Sequence, residues 1–366
     1  MEKVKLGDVC EKGSSNIAQK DLEKSNGKYP IYGASGLIKN VDFYKQDKEY
    51  IAVVKDGAGV GRTMLLPAYS SIIGTMQYIL PNDSIDIKYL YYVLTWMNLA
   101  KYCTGATIPH IYFKDYKDEE FYLPSLEEQK AIAGKLDKVS GLIEKRKTQL
   151  EKLDLLIKSR FIEMFGNLVI GDKICTNKHK IGEIASVTKL AGFEFTKYIQ
   201  YKEQGDIIML RGLNCKKGHL VLDDIKWIDK ETSDLLPRSK LYYGDILMTY
   251  AGTIGDVAMV DADDKYHLAP NVAKITLTDK MAYNPVFLIH LFMYTNDYIM
   301  TFASVVAQAS INMEKIRNFE YYFPSVEQQN AFATFVEQVD KSKFEIQKSL
   351  EKLEILKKSL MQQYFG

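Results

Sequence analysis

The sequence is poor in the residues that mark several classes of protein. It holds 4 Cys and 9 Pro among 366 residues, against 46% hydrophobic and 26% charged residues. The cysteines are Cys10, Cys103, Cys175 and Cys215. They form no C-x-x-C pair and have no histidine at ligand spacing, which argues against a zinc site and a disulfide framework. We expect reduced thiols in a folded globular chain, and the composition excludes a disordered or fibrous one.

An excess of one charge and a long apolar run are both missing. The 48 Lys+Arg and 47 Asp+Glu give a net charge of +1, so any surface for nucleic acid must be local. The most apolar windows, 90–100 and 285–294, are far shorter than the roughly 20 residues of a membrane span. The charged N-terminus lacks an apolar targeting segment. The sequence therefore predicts a soluble, cytoplasmic protein that has no membrane partner.

What the chain does contain is an internal repeat at an offset of 200 residues. Residues 123–166 return without a gap as residues 323–366, with 16 of 44 aligned positions identical, including the run LEKL. A longer, more divergent block precedes each copy and opens alike, with KLGDV at residue 5 and KIGEI at residue 180. At roughly 150 residues per domain, this organisation predicts two domains. The predicted segments are 1–122, a helical segment 123–166, a second block 167–322, and a second helical segment 323–366.

Each repeated segment begins like a long helix. Ser125 with Glu128, and Ser325 with Gln328, match the capping box that starts a helix. Apolar residues then follow at heptad spacing. In the first copy they are Val139, Ile143, Leu150, Leu153 and Ile157, and in the second Val339, Ile346, Leu350, Leu353 and Leu360. Charged residues interrupt both stripes, which favours pairing of the two helices with each other or with a partner helix. Ordinary amphipathic core helices remain the alternative, and Ser140-Gly141 predicts a break or kink in the first copy.

The two blocks have the pattern of a mixed α/β fold. Strands are predicted at 50–54, 71–80, 206–210, 245–250 and 272–277, and one apolar helix per block at 90–100 and 287–294. The segment IAVVKDGAGVGR at 51–62 lacks the G-x-G-x-x-G register of a dinucleotide-binding turn, and no helix start follows it. We interpret it, and its counterpart TYAGTIGDVAMV at 249–260, as strand, glycine turn and strand.

Motifs for catalysis are weak. The run NPVF at 284–287 resembles the NPPF of adenine methylases, but one proline is missing. Asp86 occupies the corresponding place in the first block, so Asp86 and Asn284 are predicted as helix N-caps. A Glu-x-Lys pattern occurs at 128–130, inside a predicted helix rather than on a strand, and no histidine pair has metal-ligand spacing. We expect a chain that is not an enzyme and binds no metal, with a stand-alone adenine methyltransferase or nuclease as the alternative.

The remaining chemistry points to recognition of DNA. Arginine suits guanine, while asparagine and glutamine suit adenine. Arginine is scarce here, and Arg62 lies in the glycine turn while Arg211 follows a predicted strand. The candidate DNA contacts are Lys55, Arg62, Gln77, His110, Tyr112 and Lys114 in the first block and Arg211, Asn214, Lys216, Lys217, Thr249, Asn271 and Asn312 in the second. For each of them an ordinary solvated surface residue is the alternative.

The repeat also carries a family resemblance. LPSLEEQKAIA and FPSVEQQNAFA resemble the LPPLEEQ-type conserved regions of the specificity (S) subunits of type I restriction-modification enzymes. KLGDV, KIGEI and APNVAKI are similar to segments of that family's recognition domains, and Ser125 and Ser325 replace the second proline. The resemblance implies two target-recognition domains held apart by an antiparallel coiled coil of two conserved helices, in a pseudo-two-fold arrangement.

The same resemblance implies the function and the partners. Each domain would recognise one half of a bipartite, asymmetric site in double-stranded DNA, and the helices would set the spacer and dock methylation subunits. The chain would be a non-catalytic subunit that binds no cofactor. It would recruit two methylation subunits, which use S-adenosylmethionine, and two restriction subunits, which use ATP and Mg²⁺. A coiled-coil adaptor without DNA specificity remains a further alternative, and the sequence does not give the target bases.

Overall fold

The structure is a computed structural model that describes residues 2–105, 107, 109–173, 177–304 and 309–366. Cys175 lies outside the described residues. The chain divides into a first unit, Met1–Thr148 with Gln347–Gly366, and a second unit, Gln149–Ile346. Each unit holds one of the two divergent blocks and one half of each long helix.

The first unit is mixed α/β. Its strands are β1 (Glu2–Lys5), β2 (Cys10–Ser14), β3 (Tyr29–Gly33), β4 (Gly36–Val41), β5 (Tyr50–Val54), β6 (Thr63–Leu66), β7 (Ser71–Ile72), β8 (Met76–Pro81) and β9 (Glu120–Leu123). Its helices are α1 (Leu6–Val9), α2 (Ile87–Met97), α3 (Phe113–Tyr116) and the first part of α4 (Leu126–Phe165). Short 3₁₀ turns span Gln19–Leu22 and Leu99–Tyr102. The strand predicted at 71–80 is divided in two, because a turn in which Met76 N donates to Ile73 O separates β7 from β8.

The second unit repeats these elements and adds a few. Its strands are β10 (Lys178–Lys180), β11 (Ala185–Lys189), β12 (Ile207–Leu210), β13 (Cys215–Lys216), β14 (His219–Leu220), β15 (Lys226–Ile228), β16 (Lys240–Leu241), β17 (Ile246–Thr249), β18 (Val257–Met259), β19 (Tyr266–Leu268), β20 (Val272–Leu277) and β21 (Glu320–Tyr322). Its helices are α5 (Ile181–Ile184), α6 (Gly192–Tyr198), α7 (Lys230–Asp234), α8 (Pro285–Tyr294), α9 (Asn296–Met300), α10 (Met313–Arg317) and α11 (Val326–Phe365), with 3₁₀ turns at Gly212–Asn214 and Pro237–Ser239.

The sheets show that the blocks are copies of one fold. The first unit contains an antiparallel sheet of order β2-β8-β5-β6, and the second a sheet of order β11-β20-β17-β18. In both units the N-terminal strand pairs with the strand before the long helix, as β1 with β9 and β10 with β21. The parallel pair β3 and β7 likewise matches β12 and β19. The repeat seen in the helical segments therefore extends through the divergent blocks.

Both predicted N-caps are confirmed. Asp86 Oδ1 accepts hydrogen bonds from the backbone N–H groups of Lys88 and Tyr89, each at 3.0 Å, and so caps the start of α2. Asn284 Oδ1 does the same for α8 at 2.9 and 3.3 Å, with Pro285 as the first helical residue. Because capping engages the Asn284 side chain, the resemblance of this segment to a methylase motif has a local structural explanation.

The two long helices α4 and α11 have 40 residues each, or roughly 60 Å at 1.5 Å per residue. Their capping boxes are confirmed: Glu128 N donates to Ser125 Oγ at 3.3 Å, and Gln328 N to Ser325 Oγ at 3.4 Å. The break predicted at Ser140-Gly141 is wrong, because α4 passes through this pair without interruption. A glycine costs a helix only about 1 kcal/mol relative to alanine, and Val139 and Ile143, which precede and follow Gly141 on α4, are buried.

The long helices pair in antiparallel fashion within each unit. In the first unit Leu136, near the start of α4, belongs to the same apolar core as Met361, near the end of α11. In the second unit Phe161, near the end of α4, has its ring 5.3 Å from that of Phe332, near the start of α11. All ten residues of the predicted heptad stripes lie buried or half-buried: Val139, Ile143, Leu150, Leu153, Ile157, Val339, Ile346, Leu350, Leu353 and Leu360.

Candidate nucleic-acid interface

The loop between β5 and β6, residues 55–62, turns on glycines in left-handed conformations. Gly57 has φ +85° and Gly61 has φ +84°. A Cβ on Gly61 would lie 2.4 Å from the backbone N of Ala100, so the chain approaches too closely for any side chain. Because β5 and β6 pair antiparallel on either side, the prediction of a hairpin rather than a dinucleotide-binding turn is confirmed.

A second segment holds this loop in place. Gly57 N donates to Pro109 O at 2.8 Å, and Ile111 N donates to Lys55 O at 2.9 Å. Thr104 and His110 exchange two backbone hydrogen bonds of 2.9 and 2.8 Å, which close the segment on itself. We call residues 55–62, 104 and 109–111 the first strapped hairpin. It joins candidate contacts that are about fifty residues apart in the sequence.

The side chains around the first strapped hairpin are cationic and aromatic. Arg62 is exposed, and its Nη1 donates to the carbonyl of Ala34 at 2.9 Å above a depression of about 520 Å³. Tyr112 is 51% exposed, and Lys114 Nζ lies 5.2 Å from the centre of its ring. The His110 ring lies 5.0 Å from the same ring, and Lys55 forms an ion pair of 3.6 Å with its neighbour Asp56. The structure thus brings five of the six first-block candidates to one edge of the unit.

Gln77, the sixth, lies elsewhere. It is 3% exposed on β8, and its Nε2 donates to the hydroxyl of Tyr116 inside the unit. A buried amide that already has a partner is not available to a base edge. We therefore leave Gln77 out of the candidate interface.

The second unit contains the same device. The loop between β17 and β18, residues 250–256, turns on Gly252 with φ +82° and Gly255 with φ +84°. Ile311 N donates to Tyr250 O at 2.8 Å, and the backbones of Ser304 and Ser310 exchange hydrogen bonds of 2.9 and 3.2 Å. We call residues 250–256, 304, 310 and 311 the second strapped hairpin.

Backbone hydrogen bonds align the two ends of one hairpin loop with those of the other. Val54 N donates to Arg62 O at 2.9 Å, and Thr249 N donates to Asp256 O at 2.9 Å. Each bond closes its loop just before the second strand of the hairpin. Asp256 therefore occupies the position of Arg62, with the opposite charge.

Four of the second-block candidates surround a depression of about 470 Å³. They are Arg211, Lys216, Thr249 and Asn271. The depression is also lined by Phe195 and Tyr201, whose rings lie 5.7 Å apart. Its cations have carboxylate partners: Arg211 Nη2 lies 2.7 Å from Asp224 Oδ1, and Lys216 forms an ion pair with Asp256. This interface is charge-compensated.

Three second-block candidates have side chains that form hydrogen bonds within the second unit. Asn214 is fully buried; its Oδ1 accepts the Arg211 backbone N–H at 3.0 Å, and its Nδ2 donates to two carbonyls. Thr249, 2% exposed, accepts the Asp256 N–H on Oγ1 at 3.0 Å and so pins the hairpin loop. Asn312 begins α10 by accepting the Lys315 N–H at 2.8 Å. Asn214 and Thr249 are therefore left out of the candidate interface, while Asn312 is exposed but engaged as a cap.

Lys217 faces another part of the second unit. It is exposed, has φ +49°, and lines a depression of about 460 Å³ together with His219, His290 and residues of both long helices. In that depression Lys343 of α11 forms an ion pair of 2.7 Å with Asp154 of α4. Lys217 thus belongs to the surroundings of the helices rather than to the second strapped hairpin.

The structure adds acidic and aromatic residues that sequence reasoning missed. Asp224, Asp256, Phe195 and Tyr201 border the second interface, but a search for cations and amides passes over them. One signal was present: Gly255-Asp256 and Gly61-Arg62 each combine a turn glycine with a charged residue directly before a strand. Aligning the two turns on that feature would have identified Asp256.

The long helices carry matching exposed apolar pairs outside their packed stripes. On α4, Leu155 is 62% and Leu156 is 46% exposed. On α11, Ile355 is 70% and Leu356 is 45% exposed. The pairs lie 200 residues apart, so each unit presents one of them.

The described residues show neither a metal-binding cluster nor a membrane-spanning helix. No three histidine, cysteine or acidic residues among them are grouped so that they could hold a metal ion. In the same part of the chain, no helix combines the length and the apolar character needed to cross a bilayer.

Comparison with known proteins agrees with this architecture. The chain matches the family described as "Type I restriction modification DNA specificity domain" twice, over residues 1–154 and 176–357. It is 28% identical over 261 residues to the EcoBI specificity subunit of Escherichia coli, an alignment that covers 64% of this chain and about half (54%) of that protein. It is 24% identical over 391 aligned positions to the MjaVIII specificity subunit of Methanocaldococcus jannaschii, covering 98% of this chain and 91% of that one.

Solved structures show the same fold. The crystal structure of the S subunit of a type I restriction-modification system from M. genitalium matches with a TM-score of 0.60 at 17% identity, covering 100% of this chain and 96% of that one. A chain from a study of assembly of the type I R-M system matches with a TM-score of 0.56 at 14% identity, covering 99% and 97%. Because the family match covers most of the sequence in two tandem copies, this chain belongs to the family of type I restriction-modification DNA specificity subunits.

Proposed function

We propose that this chain is the DNA-recognition subunit of a type I restriction-modification complex and has no catalytic activity of its own. Each unit recognises one half of a bipartite, asymmetric site in double-stranded DNA through its strapped hairpin and the neighbouring surface. The paired helices α4 and α11 set the number of base pairs between the half-sites.

The observation that supports this proposal most strongly is that the two hairpins share one backbone arrangement and differ in the side chains that it presents. The two hairpins share their backbone hydrogen bonds, yet Arg62 corresponds to Asp256 and Lys55 to Tyr250. Arginine pairs with the two acceptors of guanine, whereas a carboxylate accepts from the amino group of cytosine. A repeated scaffold with exchanged donors and acceptors is what recognition of two different half-sites requires.

The long helices supply a docking surface for partners. The exposed pairs Leu155-Leu156 and Ile355-Leu356 lie at equivalent positions of the two helices, and we assign to them contact with other proteins. Two equivalent patches fit two copies of one partner, which we assign to two methylation subunits that use S-adenosylmethionine. Two restriction subunits, with ATP and Mg²⁺, complete the complex. Because the chain has a net charge of only +1, these partners supply much of the phosphate neutralisation.

The test is to co-express this chain with the methylation subunit encoded beside it, in a host without adenine methylation, and to map modified adenines by sequencing native DNA. We expect a two-part motif with an unspecified spacer, and no modification when this chain is omitted. Modification without such a motif, or failure of the two proteins to co-purify, would contradict the proposal and favour an adaptor. Binding of S-adenosylmethionine by the purified chain alone would favour a methyltransferase.

A second experiment tests the role of the helices. Matched one-turn insertions are made in α4, between Lys138 and Leu156, and at the corresponding place in α11. We expect the mapped spacer to change while both half-site sequences stay the same. Altered half-sites with the original spacer would contradict the assignment of the helices to spacing.

A further inference from the structure

Two equivalent glutamines are buried where each recognition block meets its long helix. Gln129 is the fourth residue of α4 and Gln329 the fourth residue of α11, and they are 0% and 1% exposed. A buried amide is costly unless its oxygen and nitrogen both find partners. Both glutamines belong to the repeated sequence at the helix starts, LEEQ and VEQQ.

Gln129 joins three separate points of the first unit. Its Oε1 accepts the backbone N–H of Asp86, the N-cap of α2, at 2.7 Å. Its Nε2 donates to the carbonyl of Ser84 at 3.2 Å and to that of Pro124 at 2.9 Å. One side chain thus binds the start of α2 to the start of α4.

Gln329 makes the corresponding bonds in the second unit. Its Oε1 accepts the backbone N–H of Asn284, the N-cap of α8, at 2.9 Å. Its Nε2 donates to the carbonyl of Pro324 at 2.9 Å. A further bond follows the same junction, since Asn284 Nδ2 donates to Asn330 Oδ1 at 2.8 Å.

We propose that Gln129 and Gln329 are positioning residues that fix the orientation of each recognition block on its long helix, and thereby hold the spacer between the half-sites at one length. The inference rests on the proposed function. It follows from a difference between two kinds of contact at this junction. Apolar packing is non-directional and tolerates a small rotation, and Leu90 of α2 and Leu136 of α4 belong to the same apolar core. The hydrogen bonds of the glutamine side-chain amide have preferred angles and are made by opposite ends of one planar group. A rotation of the block would therefore break them.

An amide also suits this junction better than other side chains. It carries an acceptor and donors on one neutral group, so it can receive the N-cap N–H and donate to carbonyls at the same time. A carboxylate would face those carbonyls with no hydrogen to donate, and methionine could make neither bond. The same residue at both junctions indicates one mechanical requirement in both units.

The test is to map adenine methylation by the complex that carries Gln129→Met. We expect unchanged half-site sequences, with modification at sites whose spacer is one base pair longer or shorter rising about tenfold over the parent complex. Val93→Ala is the matched control: Val93 is 1% exposed in the same core, so its truncation lowers the melting temperature without touching the junction. We expect this control to keep a single spacer length.

Other outcomes separate the two proposals. A lowered melting temperature with one unchanged spacer would make Gln129 a merely structural residue and overturn the inference, as would a changed half-site sequence. If Gln129→Met yields no soluble complex, Gln329→Met takes its place, because that variant loses two bonds instead of three. Failure of the parent complex to give any two-part motif would instead contradict the proposed function.

Discussion

The two strapped hairpins share a backbone and differ in charge. In the first, the Arg62 guanidinium donates to a neutral carbonyl, and the Lys114 ammonium lies over the ring of Tyr112. In the second, the equivalent residue is Asp256, paired with Lys216, while Arg211 is paired with Asp224. The hydrogen bonds that close the two loops are nevertheless the same.

This difference shows which part of the chain specifies structure and which specifies recognition. Glycines with positive φ and main-chain bonds define the hairpin, so the charged side chains are free to vary. A cation beside neutral groups can bind a phosphate directly. A cation that is paired with a carboxylate must first exchange that carboxylate for the phosphate. We therefore expect the first unit to contribute more to general affinity and the second to depend more on base edges.

The largest effect is expected where the shared backbone is broken. Gly61→Ala adds a Cβ at φ +84° that would lie 2.4 Å from the Ala100 backbone N, so we expect a loss of about 3 kcal/mol in the free energy of unfolding. Gly57→Ala is the control, since its φ is +85° but nothing lies within 4 Å, and it should cost about 1 kcal/mol. Gly255→Ala should fall between them, because its Cβ meets the side chain of Asn296, which can rotate. Urea unfolding measures all three, and equal losses for Gly61→Ala and Gly57→Ala would contradict the close approach.

The next effect concerns the side chains and the half-sites. Arg62→Ala should weaken only the half-site recognised by the first unit, and Arg211→Ala only the other, by about 1 to 3 kcal/mol per lost base contact. Arg238→Ala is the control, since its side chain is 60% exposed and pairs with Glu194. Binding to DNA with one half-site altered at a time measures each contribution. Uniform weakening on all sequences would identify phosphate contacts instead.

The sequence predicts the scaffold better than the site, for a physical reason. β5 and β20 have the predicted bounds, because a short run rich in apolar and β-branched residues and flanked by turn residues identifies a buried strand, even though β20 contains Lys274. The long helices are predicted from their caps and heptads. Two-residue strands such as β13, β14 and β16 have no period to detect, and β16 also depends on β19, a partner that is distant in the sequence.

Polar residues show most clearly what cannot be predicted from the sequence alone. Gln77 and Thr249 have side chains suited to DNA, but burial and nearby partners place them inside their units. Gln129 belongs to a motif that was recognised, yet its role depends on Asp86, 43 residues away. A sequence shows which polar groups exist, whereas only the fold shows which of them are already satisfied.

A smaller effect should appear when the second hairpin is made more like the first. Asp256→Asn removes the carboxylate partner of Lys216 and leaves that cation free for a phosphate. We expect the slope of log affinity against log salt concentration to become more negative by about 0.9. Asp118→Asn, which removes the partner of Lys5 at 3.2 Å in the first unit, is the control for net charge. An unchanged slope with lost preference at one base pair would show that Asp256 contacts a base directly.

The smallest expected effect is a difference between the two units in how their stability depends on pH. His267 and His290, both in the second unit, have pKa values lowered from 6.5, chiefly because burial disfavours the charged imidazole. Below about pH 6.5 the unfolded state therefore binds protons at these two residues that the folded state does not, so their contribution to stability is present above that pH and is lost as the pH decreases.

Hydrogen exchange at about pH 7.5 and 5.5, corrected for intrinsic rates, measures this difference. We expect strands β12 and β19 of the second unit to lose protection at the lower pH more than β5 and β8 of the first. His267→Gln should reduce that loss, because it removes one group that binds a proton on unfolding. Carboxyl groups with ordinary pKa values near 4 should contribute only weak changes in this range. Equal loss in both units would therefore show that the buried histidines do not determine how stability depends on pH there.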